Sequence, residues 1–268
     1  MSFGRYIEVG RMDELARMGS PVHRLDARTK VLTTAVFIIA VMSFSRYEVS
    51  ALMPFVLYPV VLMAAGNIPP GCILRKMLIA APFALAVGVF NPLMDRQAVV
   101  SVGSYGISGG WLSFASIAIR FTLTVSAALT LVACTGIHQL VAGMVRMGLP
   151  RVFAVQLQLL YRYLFVVTDD ALRMMRAVEM RSVGWSAMRP RTYASLVGHL
   201  LFRSMDRAQR IYQAMVSRGY EGHLRVMRPT VVRLGDVCFL TGWIAFFAAA
   251  RFWNIPLWLG GILTGEGT

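Results

Sequence analysis

Residues 49–74 read VSALMPFVLYPVVLMAAGNIPPGCIL, an unbroken stretch without a charged side chain. A helix needs about 17–25 predominantly apolar residues to cross a bilayer, so this stretch is long enough to span a membrane by itself. Pro69 and Pro70 predict the end of that helix, because proline lacks the backbone N–H that continues a helix. The stretch therefore predicts one membrane-spanning helix followed by a turn.

Similar apolar stretches recur along the chain, two of which contain one charged residue each, Arg120 and Asp236. The first is short and needs flanking residues to complete a span, and the third is expected to close at Asn91-Pro92. Residues 95–110 are rich in Gly, Ser and Val and predict a loop or short hairpin. The sequence predicts an all-α integral membrane protein with about five transmembrane helices. The four further stretches lie at 31–45, 77–94, 111–134 and 236–250.

The composition of the 268 residues agrees with this class. Hydrophobic residues make up 57% and charged residues 15%, whereas an ordinary soluble domain is about a quarter charged. The chain has 27 Lys and Arg against 13 Asp and Glu, and residues 138–233 alone hold 15 arginines and five acids. Because basic residues beside spans favour the cytoplasm, we expect this region and the N-terminus to be cytoplasmic.

These patterns divide the chain into four parts. Residues 1–30 predict a cytoplasmic amphipathic segment, and 31–136 hold transmembrane helices one to four. Residues 137–233 predict a cytoplasmic helical coupling domain between the fourth and last spans. Residues 234–268 form the C-terminal span and tail.

Two amphipathic helices are predicted within 137–233, because apolar residues recur there at spacings of three and four. We expect Leu157, Leu160 and Leu164, on the stripe of the first helix, to pack against the second helix or under the membrane part. The helices should end near Gly184 and Gly219, since glycine is a natural residue after a helix end.

Each predicted helix has an arginine near its end, in Met180-Arg181-Ser182 and in Ser217-Arg218-Gly219. One interpretation is local, because basic residues complement the dipole of a helix C-terminus. The other is docking: a guanidinium can form a bidentate contact with a carboxylate of a partner, which lysine cannot reproduce. Two such ends on neighbouring helices favour a pair of docking contacts.

The motifs resemble those of the transmembrane T component of energy-coupling factor importers, in particular its CbiQ branch. Residues 20–30, SPVHRLDARTK, resemble the family's S-P-x-H-x-x-D-P-R-x-K, with Asp26 and Arg28 matching and Ala27 in place of the usual proline. Residues 149–163 resemble the start of the family's first coupling helix. The second coupling helix is matched by Arg203-Ser204-x-Asp206-Arg207-Ala208 and by Met215-Val216-Ser217-Arg218-Gly219-Tyr220.

The family's paired Ala-Arg-Gly-like signatures correspond to Met180-Arg181-Ser182, which departs at both flanking positions, and to Ser217-Arg218-Gly219.

The resemblance implies a non-catalytic scaffold in the bacterial inner membrane. Its expected partners are two ATP-binding-cassette ATPases and a substrate-binding membrane protein, with or without a small accessory membrane subunit. ATP-Mg would bind to the ATPases and a cobalt ion to the substrate-binding partner, with no cofactor or metal on this chain. A nickel-type or vitamin-type importer is the alternative.

A channel subunit or a membrane enzyme independent of ATPases is a more distant alternative. Residues 66–71 have the glycine spacing of a P-loop, but cysteine follows in place of lysine and two prolines remove N–H donors. Residues 106–109, GISG, fit a serine-protease pattern, but no histidine lies within a predicted span to activate Ser108.

The remaining alternatives concern ligands. The four histidines and three cysteines are not at paired metal-ligand spacing. Arginines on membrane-tethered helices favour anionic lipid headgroups and acidic protein grooves over nucleic acid. Arg120 lies inside a predicted span, where snorkelling is feasible, and we expect it to have a structural or partner-packing role.

Overall fold

The computed structural model describes residues 20–45, 50–94, 98–102, 105–181, 190–222 and 233–252. Its contacts divide the chain into two units. The spanning unit comprises Met1–Gly143 and Thr230–Thr268, and the arginine-rich unit comprises Met144–Pro229. The amphipathic segment predicted for residues 1–30 lies mostly outside the described residues.

The first long helix, α1 (Ala27–Met42), begins at a side-chain cap. A short 3₁₀ helix, Pro21–Arg24, precedes it, and the Asp26 carboxylate accepts a hydrogen bond from the Arg28 backbone N–H at 2.9 Å. Such a cap satisfies an N–H group that would otherwise be unpaired at the helix start. The helix start is therefore fixed by residues of the N-terminal motif.

The predicted second span is interrupted. Ser50–Val56 form a 3₁₀ helix that contains Pro54, and α2 (Leu57–Ala65) follows it. Proline removes a hydrogen-bond donor, so regular α-helix begins only after Pro54. The helix ends where the sequence predicts, because Asn67 adopts a left-handed φ of 51° and the Ile68 N–H donates back to the Met63 carbonyl at 3.0 Å.

Two long apolar helices, α3 (Pro70–Met94) and α4 (Gly109–Thr135), follow. Pro70 begins α3, where a helix tolerates the missing N–H. The apolar spanning segment ends at Phe90, directly before Asn91-Pro92 as predicted, while the helix itself continues to Met94. Between α3 and α4, β1 (Ala98–Val102) and β2 (Tyr105–Ser108) pair as an antiparallel hairpin.

The last helix, α8 (Leu234–Phe252), completes an aromatic core in the spanning unit. The ring centroids of Phe37 and Tyr58 are 4.7 Å apart, and those of Phe55 and Phe247 are 5.8 Å apart. All four side chains are at most 2% exposed. These rings hold four helices together: α1, the 3₁₀ helix Ser50–Val56, α2 and α8.

Three segments are long and apolar enough to cross a membrane, namely Pro70–Phe90, Gly110–Thr135 and Leu234–Phe252. Ser50–Ala65 is a shorter apolar segment, and α1 has 16 residues. The predicted fold class, an all-α multi-pass membrane protein, is confirmed. The count of five spans stays a prediction, since two of the five helices need flanking residues to reach spanning length.

A short helix, α5 (Ile137–Arg146), leads into the arginine-rich unit. This unit contains two long helices, α6 (Arg151–Arg181) and α7 (Pro190–Val216). Gly148, with a φ of 112°, ends α5, and the Leu149 N–H donates to the Met144 carbonyl at 3.0 Å. The unit therefore begins at a glycine-terminated turn.

The apolar stripe of α6 is largely exposed. Leu157, Leu160 and Leu164 are 43%, 64% and 49% exposed, and their packing against the second helix or under the membrane part stays a prediction. None of the residues of α7 is buried. The physical reason is that two paired helices cover only one side of each other, whereas a full apolar stripe needs a further layer.

Candidate coupling site

The end of α7 is defined by backbone geometry around Gly219. Its φ is 78°, its N–H donates to the Val216 carbonyl, and the Tyr220 N–H donates to the Met215 carbonyl, both at 3.0 Å. This pair of bonds is a Schellman motif, in which glycine occupies the left-handed position. Arg218 is the residue immediately before it and is exposed. The fold thus places a guanidinium at a rigidly terminated helix end.

The other residues of this signature are exposed as well. The Ser217 hydroxyl donates to the Gln213 carbonyl at 2.9 Å, one turn back on α7. That bond satisfies Ser217 inside its own helix. Arg218 is therefore the residue of this signature that has a long side chain available to a partner.

The corresponding end of α6 is described as far as Arg181, the last residue of that helix. Arg181 is exposed, and the preceding Met180 is 82% exposed. Ser182 and Gly184 lie outside the described residues. Two arginines thus occupy the ends of the two long helices, as the sequence predicts.

A third arginine of this unit, Arg207, differs from these two because it forms an ion pair. Arg207 Nη2 donates to Asp170 Oδ2 at 2.6 Å, and the two side chains are 30% and 11% exposed. Arg181 and Arg218 have no such ion pair among the residues that the structure describes. Asp206, which the family motif singles out, is exposed on the neighbouring position of α7. Arg207 joins the two helices, and the terminal arginines remain available.

An apolar groove of about 510 Å³ lies between α6 and α7. Arg207 lies on its wall, and the remaining wall is mostly aliphatic and aromatic. Leu160 lines the groove although its side chain is largely exposed. Apolar lining residues from both helices include Val155, Leu159, Leu160, Ile211 and Met215.

The N-terminal motif occupies a different place, in the interior of the spanning unit. Asp26 is 2% exposed and Arg28 is partly buried. One turn into α1, the buried Lys30 donates from Nζ to the Cys134 carbonyl at 3.2 Å, near the end of α4. These residues therefore hold helix ends together.

Arg120 has the structural role that we expect of it. Its Nη2 donates to the carbonyls of Phe44 and Ser45 at 3.0 and 2.6 Å. These carbonyls follow the end of α1, where helices leave acceptors unpaired. Arg120 therefore connects α4 by hydrogen bonds to the residues that follow α1.

Sequence reasoning missed two acids, one in each unit, that make long-range contacts. Asp170 is a lone acid on the apolar face of α6, and Asp236 is an acid in the first turn of an apolar helix. An acid among apolar neighbours is a signal for a partner, because burying an unpaired charge is costly. Within the described ranges, no group of three His, Cys, Asp or Glu could hold a metal ion.

Fold and site together define a multi-pass helical membrane protein with a separate arginine-rich helix pair. The family described as "Cobalt transport protein", CbiQ, matches residues 18–229. The match covers most of the sequence, and the chain belongs to this family. It is an EcfT/CbiQ-type transmembrane component of an energy-coupling factor transporter, a non-catalytic subunit.

Individual relatives agree with the family. The energy-coupling factor transporter transmembrane protein EcfT of Heliobacterium modesticaldum is 26% identical over 261 residues, covering 90% of this chain and 96% of that protein. EcfT of Bacillus subtilis is 23% identical over 218 residues, covering 76% and 82%. The nickel permease LarQ of Lactiplantibacillus plantarum is 32% identical over 89 residues, a third of each chain. The predicted resemblance to T components is confirmed.

Proposed function

We propose that this chain is the coupling subunit of an ATP-driven importer for cobalt ions, and that Arg181 and Arg218 carry ATPase movement to the membrane. The observation that supports this most directly is the exposed Arg218 at the glycine-terminated end of α7. Arg207 on the same helix is already bound to Asp170, whereas Arg218 has no ion-pair partner in the part of the chain that the structure describes.

The chemistry of the two arginines favours an acidic groove on each of two ATPase copies. A guanidinium offers a planar fork of donors that matches a carboxylate in a bidentate contact. The competing explanation is that both residues only complement helix dipoles, an effect of about 0.3–1 kcal/mol at an exposed end. Losing one partner of a buried ion pair costs about 3–5 kcal/mol, so the two explanations predict different magnitudes.

The remaining partners follow from the family. A substrate-binding membrane protein would hold the cobalt ion, with or without a small accessory membrane subunit, and ATP-Mg would bind to the ATPases. The basic arginine-rich unit would lie on the cytoplasmic side of the bacterial inner membrane, since Arg-rich segments beside spans favour that side. Anionic lipids would then lie close to its arginines.

Nickel is a second candidate cargo. The observation behind it is the similarity of one third of the chain to a nickel permease. The membrane complex purified through this chain separates the candidates when it is reconstituted in vesicles and supplied with ATP and with Co²⁺ or Ni²⁺. Preferred uptake of Ni²⁺ would overturn the cobalt assignment and leave the coupling role intact.

The coupling role is tested by removing both arginines. We expect Arg181→Ala/Arg218→Ala to lose ATPase subunits from the purified complex or to hydrolyse ATP without uptake. Each single variant should be less severe, because two anchors on one unit act multivalently. Arg218→Lys should restore the defect of Arg218→Ala only in part, since it keeps the charge and loses the planar fork.

Arg210→Ala is the matched control, because Arg210 is exposed on α7 but lies away from the helix end. It removes one positive charge and should retain uptake. Wild-type uptake and stoichiometry in the double variant would contradict the proposal. The same would hold if the control were as defective as Arg218→Ala.

A further inference from the structure

The arginine-rich unit is connected to the spanning unit at two points of the chain, after Gly143 and before Thr230. On the spanning side, the first connection is preceded by α5. The second is followed by α8, which the structure describes from Arg233 onward. α5 approaches Ala27 and Arg28, and α8 bonds to Asp26. We call these three consecutive residues the α1 start.

The first contact is a close approach of α5. Gly143 is buried, and a Cβ atom placed there would lie 3.0 Å from the Ala27 Cβ and 3.4 Å from the Arg28 backbone nitrogen. A methyl group would be tight at these distances, and its neighbours at the α1 start would have to give by a few tenths of an ångström. Glycine at 143 is therefore what allows α5 to lie directly against the α1 start.

The second contact is made by one carboxylate. Asp236, 2% exposed, accepts a hydrogen bond from the Asp26 backbone N–H to Oδ1 at 2.8 Å. Its Oδ2 accepts from the Arg233 backbone N–H at 2.7 Å, which caps the start of α8. Since both donors belong to helix starts, this side chain ties α8 to the α1 start through charge-assisted hydrogen bonds.

We infer that Gly143 and Asp236 are positioning residues for coupling, because they hold α5 and the start of α8, the helices next to the two connections, against the α1 start. This inference rests on the proposed function. A displacement of the arginine-rich unit by the ATPases pulls on α5 and on the chain before α8. Both pulls then act on one turn of α1, and Lys30 in the next turn carries them to α4 through the Cys134 carbonyl.

The test uses the membrane complex purified through this chain and reconstituted in vesicles. Gly143→Ala and Asp236→Asn are compared with the wild type for subunit stoichiometry, ATP hydrolysis, and uptake of Co²⁺ or Ni²⁺, whichever the wild type transports. Both variants should assemble and hydrolyse ATP, while uptake per ATP falls. The fall should be about tenfold in Asp236→Asn, the factor that one lost charge-assisted hydrogen bond makes in an equilibrium. It should be smaller in Gly143→Ala, which loses close packing and no hydrogen bond.

Gly235→Ala is the matched control, because Gly235 precedes Asp236 and has open space where a Cβ would be placed. It should keep wild-type uptake per ATP. Asp236→Ala, which removes both acceptors, should be more severe than Asp236→Asn, which keeps one. If Asp236→Ala does not assemble, Gly143→Ala and Asp236→Asn still decide the outcome.

Unchanged uptake per ATP in Gly143→Ala and Asp236→Asn would overturn the inference. A parallel fall of assembly, hydrolysis and uptake would also overturn it, since that result indicates a purely structural role. The proposed function fails differently, because a wild-type chain that brings down no ATPase contradicts both the function and the inference that rests on it.

Discussion

The two units of this protein differ in how they use apolar side chains. The spanning unit buries aromatic rings such as Phe37, Tyr58 and Phe247 against one another. In the arginine-rich unit, α6 buries only Ala154, Val155 and Asp170, and α7 buries no residue. The spanning unit is therefore held by its own contacts, whereas the helix pair has apolar faces that other subunits can cover.

The largest expected effect on the stability of the chain lies in the aromatic core. Phe247→Ala removes a ring that contacts the rings of Phe37, Phe55 and Tyr58, and should lower the free energy of unfolding by about 3–5 kcal/mol. Thermal unfolding of the purified chain in detergent measures this. Phe252→Ala is the control on the same helix, because Phe252 is 87% exposed. Equal losses from the two variants would contradict the burial of Phe247 as the source of stability in the spanning unit.

The next effect concerns Arg120. Arg120→Gln removes the charged donor of the carbonyls of Phe44 and Ser45, and a hydrogen bond to a charged group contributes about 1.5–3 kcal/mol. Arg120→Lys keeps a donor and should recover part of the loss. The same unfolding measurement applies. A structural role would be contradicted if Arg120→Gln kept full stability and lost only transport.

A smaller effect is expected from the ion pair of the helix pair. Asp170→Asn should destabilise the chain by about 1–2 kcal/mol, between the values for exposed and for buried pairs, because both side chains are partly exposed. A double-mutant cycle with Arg207→Gln isolates the pair, and Asp169→Asn is the exposed neighbouring control. A coupling free energy near zero would show that the pair does not hold α6 to α7.

The smallest effect on the chain alone is expected on the exposed stripe. Leu160→Ala should change its stability by less than about 1 kcal/mol, since Leu160 is 64% exposed. Leu160→Asp should nevertheless reduce assembly with the other subunits more than Arg162→Ala does, because a partner would have to bury the new charge. Normal assembly of Leu160→Asp would mean that this stripe does not face a partner.

Features encoded by neighbouring residues could be predicted from the sequence. The apolar stretches predict α3, α4 and α8, and Gly219 predicts the end of α7, because length, apolar composition and left-handed backbone are local properties. The interruption at Pro54 was missed, since the absence of charge hides a proline in the middle of a span.

Long-range contacts could not be predicted. The bond between Asp26 and Asp236 joins residues 210 positions apart, and Asp170 and Arg207 are 37 positions apart. Helical spacing shows that Asp170 lies on the apolar face of α6, but not which arginine binds it. The family motif contains both Asp206 and Arg207. For the same reason, it does not indicate that Arg207 is the one that contacts the other helix.

The Schellman end of α7 also fixes the angular position of Arg218 around the helix axis. Each residue of an α-helix adds 1.5 Å and turns the helix by about 100°. One residue inserted between Arg207 and Arg218 would keep the glycine end but rotate the guanidinium by about 100° relative to the face bound to α6. Seven inserted residues would restore the direction to within about 20° and move the guanidinium about 10 Å along the axis. The number of residues between these two arginines is therefore under the same constraint as the arginines themselves.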